Sequence, residues 1–211
     1  MRTSNFIVLV SLGPIAVGYC LIITKKQYTC YADVSRKYLD EFLDLLGTVQ
    51  VSQQKIFGAS LLFEHGRNGG CLPYAHDELC YHAHMRLLPT NINLADAIHN
   101  DYLTENLSSW GDLASIYARR PDSYLLIQNG NKLEHVANPP SLPGRYLRTK
   151  AAEQVLGDPA PADWQDFPSY EMIREGKKAI EAELLLRWQS QRTIGRIHRS
   201  PPSPSPRSRD R

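Results

Sequence analysis

The sequence lacks the compositional features that would assign it to a specialised class. Its 211 residues contain only four cysteines, Cys20, Cys30, Cys71 and Cys80. That number is too small for a disulfide-stapled scaffold and favours free thiols in a reducing compartment. The net charge of +2 gives no electrostatic reason to expect a particular partner. We therefore predict a cytoplasmic protein and expect neither nucleic acid nor a membrane as its partner.

An uninterrupted hydrophobic run long enough to span a membrane is also missing. The apolar stretch at residues 6–24 is divided by Gly13 and Pro14, which would break a helix at its middle. Each half is short and rich in β-branched residues, as is typical of buried strands. We predict two strands, at residues 6–12 and 18–24, joined by a Gly-Pro turn.

The hydrophobic content and the distribution of charge predict one folded domain followed by a tail. A hydrophobic content of 42% in a chain of this length predicts a single domain at residues 1–187. Seven Arg and one Asp lie between positions 187 and 211, so the chain before them carries 24 − 7 = 17 basic and 22 − 1 = 21 acidic residues. The last segment is rich in Pro, Ser and Arg. We predict that residues 188–211 form a basic, disordered tail.

The hydrophobic pattern predicts an α+β domain. Asp33 is a candidate N-cap for a long amphipathic helix, because apolar residues follow it at spacings of three and four. These are Val34, Tyr38, Phe42, Leu45, Leu46 and Val49. Further helices are predicted at residues 93–106, 145–156 and 170–187. Strands are predicted at 59–63 and 80–88, with a hairpin of 123–128 and 132–137 turning at Asn129-Gly130. The expected architecture is an antiparallel sheet with the long helix packed on it and a helical C-terminal region.

The segment His82-Ala83-His84-Met85-Arg86 carries the chemistry. Alternate residues of a strand share a face, so His82, His84 and Arg86 should point to one side. Two imidazoles and a guanidinium on one face bind anions. Phosphate is the natural ligand, because Arg offers a planar pair of donors and neutral His offers a donor and a nucleophilic nitrogen.

Two other interpretations of this segment stay open. The histidines can simply be partly exposed polar residues on a sheet face. A metal site is the second alternative, with Cys71, His76, Cys80 and His82 close in sequence. Their spacing matches no standard zinc module, so we expect no bound metal and no other cofactor.

Several blocks, in this order and spacing, resemble the histidine-triad (HIT) superfamily. The first is residues 18–28, Gly-Tyr-Cys-Leu-Ile-Ile-Thr-Lys-Lys-Gln-Tyr, followed by the long helix and by Phe63-Glu64-His65-Gly66. The motif strand follows as His-Ala-His-Met-Arg-Leu-Leu-Pro at residues 82–89. Pro-Gly-Arg-Tyr-Leu-Arg at 143–148 and Asp163-Trp164 resemble a bacterial HIT-like branch. The similarity extends over residues 5–175.

The resemblance implies a nucleotide hydrolase or nucleotidyl transferase with a HIT-like fold. His84 would attack the α-phosphorus and form a nucleotidyl-histidine intermediate, His82 would orient His84, and Arg86 would hold the phosphate. The remaining phosphate or substrate contacts implied are Gly69, Gly70, His65, Ser11 and Arg145. The ligand would be a nucleotide or phosphorylated small molecule, and the resemblance allows a homodimer.

The sequence departs from the family pattern at several positions. Arg86 stands where the third histidine of the motif is expected, and Tyr19 and Tyr28 stand where two upstream histidines are expected. An arginine stabilises charge but cannot donate a proton near neutral pH. A non-catalytic nucleotide-binding protein is therefore the alternative function. Arg145 or Arg148 could reach a phosphate, although a solvated helix face is the favoured interpretation for both. His99, His135 and His198 belong to no constellation and are predicted to lie at the surface.

Overall fold

The computed structural model describes residues 1–67, 82–118, 122–139 and 143–197, with side chains as far as residue 187. Seven strands and five α-helices lie in these ranges. The strands are β1 (Phe6–Val10), β2 (Cys20–Thr24), β3 (Leu61–Gly66), β4 (His84–Leu88), β5 (Glu105–Leu107), β6 (Tyr124–Asn129) and β7 (Lys132–Ala137). The helices are α1 (Leu39–Phe57), α2 (Leu94–Ile98), α3 (Trp110–Tyr117), α4 (Tyr146–Leu156) and α5 (Tyr170–Ile197).

All seven strands form one antiparallel sheet in the order β1-β2-β4-β3-β6-β7-β5. The predicted α+β class, with an antiparallel sheet and a long helix, is confirmed. The strand that carries the histidine motif lies between β2 and β3, so both of its edges are hydrogen-bonded. Its register, and with it the face to which each side chain points, is therefore fixed from both sides.

The sheet separates two apolar layers. On one face, residues such as Ile22, Met85 and Leu87 pack with the buried side of α1, and Ile180 and Leu184 of α5 join the same cluster. On the other face, Phe63 and Leu125 pack with α2 and α4. Each fully buried Leu, Ile, Phe or Met contributes about 1.5–3 kcal/mol of burial free energy. The second layer leaves part of its sheet face uncovered beside β2 and β4, where the cavity described below lies.

A buried glutamine joins α1 to the strands that carry the motif. The Gln53 side-chain amide donates to the carbonyls of Gly18, at 2.9 Å, and Leu87, at 3.0 Å, and its oxygen accepts from Ser60. Because all three bonds are made away from water, the polar side chain is satisfied inside the core. The contact fixes the position of α1 along β4.

The start of the long helix is predicted wrongly. Asp33 is not its N-cap, because its carboxylate instead forms an ion pair with Arg67 and accepts from Thr29. The chain makes two short 3-10 turns before α1 begins at Leu39. The helix then continues beyond the predicted span and ends at Gly58, which adopts the left-handed conformation with φ = 81°.

The segment at residues 93–106 is the second departure from prediction. Only Leu94–Ile98 is helical, and Leu103 is 90% exposed. The chain then pairs as β5 with β7, so the spacing of Leu103 from Ile98 does not reflect a helix. Helix α3 is not among the predicted elements, although Ser109 and Asp112 form a capping box at its start. His135, predicted at the surface, is buried because β7 lies inside the sheet and Tyr117 of α3 covers it.

The remaining elements follow the predictions more closely. Residues 6–24 form β1 and β2 around the Gly13 turn, and Gly130 makes the β6–β7 hairpin with φ = 57°. Among the described residues no helix is both long and apolar enough to cross a membrane. Helix α5 extends to Ile197, so the predicted tail boundary at residue 187 falls inside it. Residues 198–211 lie outside the described ranges.

A buried carboxyl group holds the end of β3 on the side of the sheet that faces α1. Glu64 accepts from the Tyr31 backbone N–H at 2.8 Å and from the Tyr124 hydroxyl at 2.6 Å. Burial raises the pKa of Glu64 from 4.5 to about 7, and the two hydrogen bonds oppose this rise. The native protein therefore binds a proton at Glu64 more tightly than the unfolded chain does.

Replacing Glu64 with Gln tests this carboxyl. Because its pKa is raised on folding, its contribution to stability is fully present below about pH 4.5 and is lost as the pH rises towards about 7. From about pH 5 to about pH 8, the free energy of unfolding of Glu64→Gln should rise relative to the parent by up to about 3 kcal/mol. Urea titrations of both proteins measure the difference. A difference that stays constant with pH would contradict the account.

Candidate functional site

The histidine motif lies on the floor of a cavity of about 410 Å³. In the sheet, Ile23 lies opposite His84, while Leu21 and Phe63 lie opposite Arg86. Side chains of directly paired residues share a face, so these residues form one surface. His82 precedes β4 and lines the same cavity. The structure therefore brings His82, His84 and Arg86 together.

Four further parts of the chain complete the wall. Ser11 and Leu12 come from the turn after β1, whereas Arg145, Leu147 and Arg148 come from the start of α4. Trp164 belongs to the segment between α4 and α5, and His65 comes from the end of β3. Arginines thus come from the sheet floor and from α4, and the rest of the lining is mostly apolar.

Hydrogen bonds define the tautomer of His84. Nη2 of Arg86 lies 3.1 Å from Nε2 of His84, and Nδ1 of His84 lies 3.3 Å from the carbonyl oxygen of His82. A guanidinium only donates and a carbonyl only accepts. Neutral His84 therefore carries its proton on Nδ1, and the lone pair of Nε2 accepts from Arg86. In this state Nε2 is the nucleophilic nitrogen.

His82 is held by the neighbouring strand. Its Nδ1 lies 2.8 Å from the carbonyl oxygen of Thr24, to which it must donate. Neutral His82 therefore has an unprotonated Nε2. The same residue forms a parallel bridge with Tyr28, which links the motif strand to the chain that follows β2. His82 and His84 are thus locked in the same tautomer by different carbonyls.

His65 adds a neutral ring to the site. It is half-buried and lines the cavity on β3, two residues beyond Phe63, which pairs with Arg86. Burial lowers its pKa from 6.5 to about 4, and the nearby charges of Arg86 and His84 lower it further in the same direction. His65 is therefore unprotonated at neutral pH and does not donate as an imidazolium.

Arg148 lies inside the protein, which corrects the favoured interpretation of a solvated helix face. Its side chain is only 2% exposed, its Nε donates to the carbonyl of Ala162 at 2.7 Å, and Nη2 donates to the carbonyl of Gly13. The guanidinium lies 5.5 Å from the centre of the Tyr19 ring. Tyr19, at the position of the expected upstream histidine, is fully buried beneath it.

Arg145 and Ser11 lie where the sequence analysis put them, at the cavity. Arg145 forms a 2.5 Å ion pair with Asp163 and precedes α4 in a left-handed conformation, with φ = 67°. The Ser11 hydroxyl is buried and donates to the carbonyl of Leu12 at 3.1 Å. Gly69 and Gly70 lie outside the described residues, so the predicted backbone contacts to phosphate stay predictions.

The metal alternative falls mainly on residues that the structure does not describe. Cys71, His76 and Cys80 are among these, and only His82 of the proposed ligands is placed. Within the described ranges, no three His, Cys, Asp or Glu side chains cluster as a metal site would require. The alternative therefore stays open.

The sequence predicts no role for six side chains that line the cavity. These are Leu12, Leu21, Ile23, Phe63, Leu147 and Trp164. Trp164 lies in a segment without helical or strand periodicity, so only the Asp163-Trp164 block of the family resemblance marks it. Phe63 and Leu147 fit the pattern of core residues and do contribute to the core. Only tertiary structure shows that one face of each also borders the cavity.

The sequence matches no protein-family model and no curated protein. The function of the cavity must therefore be argued from its own chemistry. None of the described residues that line it is an Asp or Glu, while three are arginines. The arrangement favours an anionic ligand with an apolar part.

The low pKa of His65 gives a direct check on the site. A titration of the ring protons by NMR, assigned with His65→Gln, should show no transition for His65 between about pH 5.5 and pH 8. Removal of the Arg86 charge in Arg86→Gln should move its midpoint upwards from about 4. A midpoint near the ordinary value of about 6.5 in the parent protein would show that the ring is not buried as described.

Proposed function

We propose that this protein is a HIT-like nucleotide hydrolase or nucleotidyl transferase that acts at an α-phosphate. The observation that carries the proposal is the position of His84. Its Nδ1–H donates to the His82 carbonyl, and its Nε2 accepts from Arg86 in the cavity that both residues line. A cytoplasmic location and a homodimer belong to the same proposal.

The reaction would take two steps. Nε2 of His84 attacks the α-phosphorus, the N–P bond forms, and the bond to the leaving group breaks. Water, or another acceptor, then attacks the same phosphorus, the N–P bond breaks, and the proton of the attacking group passes to solvent. Covalent catalysis divides one difficult displacement into two easier ones.

Arg86 would have two consecutive roles. Without ligand it donates to Nε2 of His84, at 3.1 Å. A phosphate oxygen is a stronger acceptor for a guanidinium than a neutral imidazole is, because the bond is charge-assisted. Substrate binding would therefore draw Arg86 to the phosphate, free the lone pair of Nε2 and place positive charge where the transition state becomes more negative.

The remaining cavity supports a nucleotide as ligand. Leu12, Leu21, Ile23, Phe63, Leu147 and Trp164 give the cavity an apolar lining among the cationic residues. A nucleoside offers a flat, largely apolar base for such a wall, and Trp164 is suited to stacking. The blocks that resemble HIT proteins lie on β2, β3, β4 and α4, which together surround the cavity. This agreement adds weight to the proposal.

A non-catalytic nucleotide-binding protein is the second candidate. The observation in its favour is again the Arg86 contact, because a donor on Nε2 blocks nucleophilic attack if it stays there in the complex. Tyr19 favours the same alternative, since it is buried in the core and does not line the cavity. The two candidates differ in whether His84 becomes modified.

Trapping distinguishes them. The protein is incubated with nucleotides labelled at the α-phosphate and quenched in base, where phosphohistidine survives, and the adduct is located by mass spectrometry. We expect label on His84, and His84→Ala should lose both the adduct and turnover by about 10³-fold or more, because no other nucleophile replaces the imidazole.

His99→Ala is the matched control. His99 is an exposed histidine that does not line the cavity, so its removal should leave the adduct unchanged. Turnover that survives in His84→Ala would refute the nucleophile assignment. Nucleotide binding without an adduct or product in the parent protein would favour the non-catalytic candidate.

A further inference from the structure

The cavity contains more positive charge than a single phosphate requires. Its described wall has three arginines and three histidines, with no Asp or Glu. Arg86 lies on the sheet floor. Arg145 is the N-cap of α4, and Arg148 lies in the first turn of that helix. The guanidiniums therefore come from two separate walls of one cavity.

Arg148 is a fixed and uncompensated charge. It is almost fully buried and bonds to backbone carbonyls of two loops, which are neutral groups. In the described part of the chain, no carboxylate lies within ion-pair distance of Arg148 or of Arg86. A buried charge without a counter-charge is costly, so an anion that binds beside it gains more than it would at the surface.

Arg145 is partly compensated. Its Nη1 lies 2.5 Å from a carboxylate oxygen of Asp163, and both side chains are partly exposed. The ion pair partly neutralises the charge of Arg145, which still lines the cavity. Loss of the Asp163 charge would leave all three guanidiniums without a carboxylate partner.

The three guanidiniums also repel one another. Burial lowers the pKa of Arg148, Tyr19 opposes this shift, and the positive charges of Arg86 and Arg145 add to it. The repulsion between like charges around a cavity that no carboxylate lines is reduced when a multivalent anion binds among them. A single phosphate at His84 and Arg86 would neutralise the sheet side and leave the α4 side uncompensated.

We propose that Arg148 and Arg145 form a second anion subsite, and that the ligand carries at least two linked phosphate groups, as a nucleoside diphosphate does. The nucleoside part rests on the proposed function, whereas the requirement for two phosphates rests on the cations alone. In the proposed reaction the electrons of the anhydride P–O bond go to the second phosphate as His84 forms the N–P bond. That phosphate leaves as an anion, whose charge Arg145 and Arg148 would stabilise, and it takes its proton from water because arginine cannot supply one.

Calorimetric titration of the full chain tests the subsite with two matched pairs of probes, inorganic phosphate against pyrophosphate and AMP against ADP. In each pair we expect the second probe to bind at least about tenfold more tightly, equivalent to about 1.4 kcal/mol. Arg145→Gln should reduce this ratio, and Asp163→Asn should raise it, because it frees Arg145. Lys55→Gln, which removes a charge on α1 across the sheet, is the control and should leave the ratio unchanged.

The opposite signs for Arg145→Gln and Asp163→Asn separate binding from folding, since loss of either partner breaks the same ion pair. Arg148→Lys is tested with a thermal unfolding measurement beside it. If it lowers the Tm but leaves the probe ratio unchanged, Arg148 is only a clamp for the two loops and the proposal is overturned. Two further results would overturn the proposal. One is equal affinity for the two probes of each pair, and the other is an Arg145→Gln variant that loses affinity for both probes by the same factor.

The two proposals can fail separately. A His84 adduct together with equal affinities for AMP and ADP would leave the nucleotide function standing and remove the second subsite. A pyrophosphate preference that depends on Arg145, without nucleotide binding or an adduct, would keep the subsite and reject the nucleotide function.

Discussion

The site depends on the two-residue repeat of a strand that is paired on both edges. Met85 and Leu87 are fully buried against the α1 side of the sheet. Their burial forces His84 and Arg86 to the opposite face, and pairing with β2 and β3 prevents a shift of register. A one-residue slip would bury an imidazole and a guanidinium and expose the apolar residues. The burial of apolar side chains on one face of β4 therefore determines that the histidine and arginine side chains point to the other face.

The cationic side of the cavity follows from a second constraint, the position of α4. Arg148 connects the first turn of this helix to the loops at Gly13 and Ala162. The loop bonds hold the guanidinium in place before any ligand arrives, so little side-chain entropy is lost on binding. Arg86 lies on the sheet and donates to His84, and under the proposed function this bond would be exchanged for one to a phosphate. The cavity would thus combine a fixed charge with an exchangeable one.

Much of this arrangement could be predicted from local pattern. The alternation at residues 82–88 predicted the shared face of His84 and Arg86, and Gly13-Pro14 and Asn129-Gly130 predicted two turns. What failed depends on tertiary contacts. Asp33 has the residue type of an N-cap, but the distant Arg67 takes its carboxylate. Arg148 and His135 are buried by segments that lie far away in sequence, and no local pattern reports that. Trp164 reaches the cavity from a segment with no period at all.

The tautomer of His84 tests the central claim most directly. Long-range ¹H–¹⁵N NMR of the ring nitrogens distinguishes Nδ1–H from Nε2–H when it is recorded at a pH where the imidazole is neutral. The account predicts a proton on Nδ1, an unprotonated Nε2, and a larger change at Nε2 of His84 than at His99 when ADP is added. A proton on Nε2, or an ADP titration that leaves His84 unchanged, would contradict it.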